Sequence, residues 1–109
     1  MSRRNVNYSQ VVDGLRYNTE TAIEICTYYS TADVGDFTYE CTTLFQTKKG
    51  RFFIAGHGGP RSRWSRSLGN NTIASGEGLR PISAEEARRF AEQNADPDTV
   101  TKYFDVDDA

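Results

Sequence analysis

"FTYECTTLFQTKKGRFFIAG", residues 37–56, is the stretch whose reading decides the fold. Phe37, Tyr39, Cys41, Thr43 and Phe45 alternate with Thr38, Glu40, Thr42, Leu44 and Gln46. A period of two lines one face of a pleated strand, and the aromatic and β-branched types suit such a half-buried surface. Thr47-Lys48-Lys49-Gly50 follows, with a glycine able to take positive φ, and "RFFIAG" then reads as a second strand. The two form an antiparallel hairpin with Lys48, Lys49 and Arg51 at its solvated tip.

Upstream, Asp13-Gly14 is a turn signal and Leu15, Arg16 and Tyr17 make a brief strand. The spacing after it predicts a helix. Asn18 is placed to accept an orphan N–H at its start, and Glu20 and Glu24 favour the positive end. Ala22, Ile25, Cys26 and Tyr29 follow as an inward stripe, and "STADVGD" (30–36) ends the element.

Downstream, residues 57–76 are the least regular part, with Trp64, Leu68 and Ile73 as their anchors and one helical turn expected within "SRWSRSL". "EGLRPIS" adds an edge strand, because Pro81 lacks a ladder donor. "ISAEEARRFAEQN" is the clearest helix: Ser83 caps it, Glu86 completes a capping box, and Ile82 staples against Ala87. Ala87, Phe90 and Ala91 face inward, while Glu85, Arg88, Arg89 and Glu92 face water. In a second short helix Asp96 caps, Pro97 takes the first position, and Val100, Tyr103 and Phe104 face inward.

The expected fold class is therefore α+β: a small antiparallel sheet of 3–4 strands around the central hairpin, with an N-terminal helix and the C-terminal helices on one face. Residues 1–109 are read as a single domain with frayed ends at about 1–8 and 105–109.

Composition narrows the function classes. With 37% hydrophobic and 26% charged residues the chain is that of a soluble globular protein. Apolar runs such as Phe52–Ala55 fall far short of the roughly 20 residues of a membrane span. No secretory leader is visible, so a cytoplasmic setting is expected, the host bacterial cytosol. There Cys26 and Cys41 are read as reduced, buried thiols, with a disulfide between them as the alternative. The net charge of −2 hides a strong polarity. Residues 41–76 hold six basic side chains and no acidic one, whereas residues 77–109 hold four basic and nine acidic. Such a distribution can orient a partner through its field.

The only histidine, His57, sits in "GHGGP". This is neither a dinucleotide fingerprint nor a phosphate-binding loop, and it does not join a strand to a helix. The glycines read as an exit from the strand with positive φ and close backbone approach. As a general base His57 needs an orienting carboxylate, and none lies between Glu40 and Glu77. Cys41 lies across the hairpin register but reads as a core residue. One histidine and two scattered cysteines make no metal set, so no catalytic residue, metal or cofactor is expected.

The basic loop offers more. Arg61, Arg63 and Arg66 around Trp64 can grip phosphates while the indole stacks on a base, or can anchor a protein interface. They can equally pair with the acidic helices while Trp64 plugs the core. An acidic chain, with a pI near 5.3, favours a protein partner over nucleic acid.

The run "LFQTKKGRFFIAGHGGPRSRW" together with "GEGLRPISAEEARRFAEQN" is similar to a pattern in small proteins of phages and mobile elements. Those carry a "Y-T-K-K-G-x-x-F" hairpin, a "G-G" then "S-x-W" or "S-x-Y" segment, and a closing "P-L-S-x-E-E-A" helix. "RYNTETAIEI" also resembles the start of such chains, so the likeness covers residues 14–104. It implies an accessory protein without enzyme activity; some accessory proteins of this size are anti-CRISPRs, an analogy of size and context. Here "GHGG" stands where that pattern has "GEGG", and a Glu/His exchange argues against a fixed catalytic role.

The expectation is a non-enzymatic protein that binds a host protein or ribonucleoprotein and inhibits a defence complex, specifically a CRISPR–Cas effector. Lys48, Lys49, Arg51, His57, Arg61, Arg63, Trp64 and Arg66 are its expected partner-binding residues, and the acidic ends imitate phosphate charge. The alternative is a small single-stranded nucleic-acid binder using the 48–66 segment, and a third is an enzyme using His57.

Overall fold

The computed structural model describes residues 8–30 and 37–109. Among these residues eight strands precede two helices: β1 (Ser9–Val12), β2 (Leu15–Asn18), β3 (Ile23–Tyr29), β4 (Glu40–Gln46), β5 (Phe52–Gly58), β6 (Arg66–Gly69), β7 (Thr72–Ala74), β8 (Gly76–Ile82), α1 (Ala84–Asn94) and α2 (Pro97–Tyr103). The fold is α+β. Its centre is a four-stranded antiparallel sheet in the order β3-β4-β5-β8, and β1-β2 and β6-β7 are separate two-stranded ribbons.

The predicted hairpin is β4-β5, with Gly50 at φ 90° in its turn. β4 begins at Glu40, so Phe37 and Tyr39 lie before it. Both its faces are covered, not one. Leu44 and Ile54 pack with Phe52, Trp64, Phe90 and Val100 on the helix side. On the other side Phe45, Phe53, Ala55 and Leu79 pack with Tyr17 under the β1-β2 ribbon. Phe53 is fully buried there, stacked on Phe45 at 5.0 Å and met edge-on by Tyr17 at 5.6 Å. Burial of a side chain that size stabilises by about 2–3 kcal/mol. Asp13 and Gly14, at φ 53° and 78°, close the β1-β2 ribbon with the positive-φ pair a tight hairpin needs.

The predicted N-terminal helix is instead a turn followed by edge strand β3. Asn18 does cap, its side-chain oxygen accepting the Glu20 N–H at 2.9 Å, but it caps a turn. The register of β3 on β4 shifts between Glu24 and Cys26, so Ile25 and Cys26, adjacent in sequence, both pack against the helix-side core. A β-bulge of this kind breaks the alternation of a strand and leaves an apolar spacing that mimics a helix. Residues 31–36 of the expected helix end lie outside the described residues, as do 1–7 of the expected frayed start. Tyr8 is anchored, its N–H donating to Thr19 Oγ1 at 3.0 Å and its hydroxyl to the Gly56 carbonyl at 3.2 Å.

Both C-terminal helices start where expected. Ser83 and Glu86 form the capping box, and Asp96 accepts the Thr99 N–H at 2.8 Å. α1 buries Ala87, Phe90 and Ala91, α2 buries Val100, and Phe104 beyond α2 stacks on Phe52 at 5.2 Å. Among the described residues no helix is long and apolar enough to cross a membrane. Neither cysteine is in a disulfide, and burial pushes the Cys26 thiol up to about 11.

Candidate functional site

Four glycines decide how the chain leaves β5. Gly56 and Gly58 stand opposite Gly78 and Gly76 on the neighbouring strand. None has positive φ; they are ordinary strand residues, which corrects the expected exit from the strand. At Gly56, Gly58 and Gly76 no side chain fits, because backbone or the following loop lies on top of them. A Cβ at Gly56 would strike the Cys41 carbonyl oxygen and come within 2.8 Å of Trp64 Nε1. One at Gly58 would meet the Ser62 side chain, and one at Gly76 the Trp64 carbonyl oxygen. Removing side chains from both strands opens the groove that the indole fills.

Tight turns carry the chain through that groove, in place of the helical turn expected in "SRWSRSL". The Gly59 N–H donates to the Tyr39 carbonyl at 2.8 Å, the Ser62 N–H to the Gly59 carbonyl at 3.0 Å, and the Arg61 N–H to the Phe37 carbonyl at 2.8 Å. Trp64 ends up only 7% exposed. It is a core residue, so the exposed recognition indole expected from sequence has no free face on which to stack a base.

A polar network locks it. Trp64 Nε1 donates to Thr42 Oγ1 at 2.8 Å, and that hydroxyl donates to Glu40 Oε2 at 2.7 Å. Glu40 is 7% exposed and pairs with Arg63 Nε at 2.6 Å, while its other oxygen accepts the Arg63 N–H at 3.3 Å. Arg63 also lies over the Phe90 ring at 5.6 Å, and Arg80 over the Trp64 ring at 5.4 Å. A buried carboxylate with these partners has its desolvation offset. Arg63 and Trp64 thus serve the fold, and Arg63 is balanced by Glu40 on β4, not by the acidic helices.

The remaining expected residues divide between two ends of the sheet. Lys48, Lys49 and Arg51 are exposed at the β4-β5 tip. Arg61 and Arg66 are exposed beyond the other end of β5, about 20 Å away at about 3.3 Å per strand residue. The basic side chains of the 48–66 segment therefore fall into two groups. His57 lies on the face of the β1-β2 ribbon. It faces Cys41 across β4 and Glu77 across β8 in register, and the Tyr39 ring at 5.6 Å. The carboxylate that the linear sequence lacked comes from β8. Among the described residues no three His, Cys, Asp or Glu side chains converge as metal ligands.

Two features were missed from sequence. The first is the β6-β7 ribbon, closed by Asn70 and Asn71 at φ 50° and 62°. Every residue of it but Ala74 is exposed, and Leu68 and Ile73, expected as anchors, are each 56% exposed. Arg66 stands at its base, its Nε donating to the Ser75 carbonyl at 3.0 Å. "GNNT" between short β-prone runs was the available signal. The second is a hollow of about 620 Å³ where β5 ends and β8 begins, lined by Tyr39, His57, Arg66, Ser75, Glu77 and glycine backbone. Comparison of the chain with protein-family models, curated proteins and solved structures finds no match.

Proposed function

We infer that the chain is a binding protein, not an enzyme, that acts by covering a surface of a larger host complex. The observation that carries this is the β6-β7 ribbon: Leu68 and Ile73 exposed on a narrow two-stranded arm, with Arg66 at its base and Arg61 nearby. A two-stranded ribbon without a packed face gains little stability from itself, and exposed aliphatic side chains beside arginine suit a protein interface. The partner it fits is a protein surface with an apolar patch and acidic rim, since no acid lies between Glu40 and Glu77.

The narrower form of this reading is inhibition of a CRISPR–Cas effector. It is supported by the likeness to small phage and mobile-element proteins and by the polarised charge. The test is target-DNA binding by purified effector complexes of the different CRISPR types, with and without the protein. A stoichiometric block of one of them, with the protein co-eluting on that effector, is the expected result. Free protein that binds oligonucleotides of any sequence, with steep salt dependence, is the result that overturns it.

A further inference from the structure

The hollow between the end of β5 and the start of β8 is lined by side chains of both charges, Arg66 and Glu77. Arg66 has its Nε committed to the Ser75 carbonyl at 3.0 Å, which orients the guanidinium, and among the described residues its terminal amino groups make no hydrogen bond or ion pair. Glu77 is exposed, and among the described residues its carboxylate meets only the Tyr8 hydroxyl, at 3.5 Å. Tyr39 and His57, ring centroids 5.6 Å apart and tilted by 39°, supply a planar wall. A volume of about 620 Å³ lies within the roughly 300–1,000 Å³ of small-ligand clefts.

We propose that this hollow binds a free α-amino acid with a planar side chain, its carboxylate on Arg66, its ammonium on Glu77 and its side chain against Tyr39 and His57. The charges select the class. A simple anion that reaches Arg66 meets Glu77 as a like charge, and a simple cation that reaches Glu77 meets Arg66. A zwitterion satisfies both groups without adding net charge to the cleft. Planar groups prefer ring faces for the rest of their contact. This site shares Arg66 with the partner surface inferred above, but Glu77, Tyr39 and His57 belong to it alone, so a small-molecule titration can fail without touching that reading, and the reverse.

The experiment is an amide-resonance titration of the whole protein, following Gly58, Gly59 and Gly76, with L-phenylalanine, 3-phenylpropionate, phenethylamine and inorganic phosphate as probes. L-phenylalanine is expected to give saturable shifts and to bind about tenfold or more tightly than either single-charge analogue. E77Q is expected to reduce L-phenylalanine to the affinity of 3-phenylpropionate, and R66Q to that of phenethylamine, with the remaining resonances unmoved. If R66Q disturbs the ribbon, E77Q alone carries the comparison. No saturable shift, equal binding of L-phenylalanine and 3-phenylpropionate, or a preference for phosphate would each overturn the proposal.

Discussion

Trp64 Nε1 donates a 2.8 Å hydrogen bond to Thr42 Oγ1, with both side chains buried and 22 positions apart in the chain. That bond ties the irregular loop to the centre of the sheet. Because the same hydroxyl donates to Glu40, which holds Arg63, one threonine organises the whole segment from which the β6-β7 ribbon emerges.

Replacing that hydroxyl should be costly. Thr42→Val keeps the shape but leaves the indole N–H without its acceptor and removes one of the donors to Glu40. The expected loss is about 2–4 kcal/mol, read as a lower urea midpoint with an unchanged slope. Thr42→Ser, which retains the hydroxyl, should lose about 1 kcal/mol or less. Equal losses would show that the network contributes nothing specific.

The glycine groove makes a sharper contrast. Gly56→Ala places a methyl group against the Cys41 carbonyl oxygen and Trp64 Nε1, so β4-β5 pairing or the indole must move. A loss of about 3 kcal/mol or more, with a changed tryptophan emission, is expected. At Gly78 the same methyl group sits 3.6 Å from Trp64 Cε3 and Cζ3, ordinary contact, and Gly78→Ala should change stability by about 1 kcal/mol at most.

These residues also explain what could be read in advance. The β4-β5 hairpin, the capping box at Ser83 and the Asp96-Pro97 start were legible because each is written in local chemistry: alternation, a tip glycine, cap residues. β3 was misread because its bulge points Ile25 and Cys26 to one side, and the resulting spacing satisfies a helix. Trp64 was misjudged because its partners, Thr42 and the glycines of β8, are distant in sequence. The signal was nevertheless present: glycines at 56, 58, 76 and 78, all on one face of two strands that pair. His57 was read as lacking a carboxylate for the same reason, since Glu77 arrives only through strand pairing.

Acid should act on α2 through its cap. The Thr99 hydrogen bonds hold the Asp96 carboxyl below its ordinary pKa. A lowered folded-state pKa stabilises above the unfolded value of about 4, and that contribution is lost as pH falls through the folded value. Asp96→Asn, which caps without titrating, should remove this component of the acid-induced fall in Tm between about pH 5 and 2. A wild-type and variant Tm that fall in parallel would contradict it.

The functional account predicts that the two basic ends of the sheet are not equivalent. Changing exposed Leu68 and Ile73 to serine should alter stability by only about 0.5 kcal/mol, so a loss of activity in that variant reports on contact, not folding. The most direct measurement is CRISPR interference in cells expressing the wild-type protein, the L68S/I73S variant, or a Lys48, Lys49, Arg51 triple alanine variant. The account predicts that wild type and the tip variant protect an incoming target plasmid to the same degree and that L68S/I73S does not. Protection lost with the tip variant but kept by L68S/I73S, or no protection by wild type against any effector type, would contradict it.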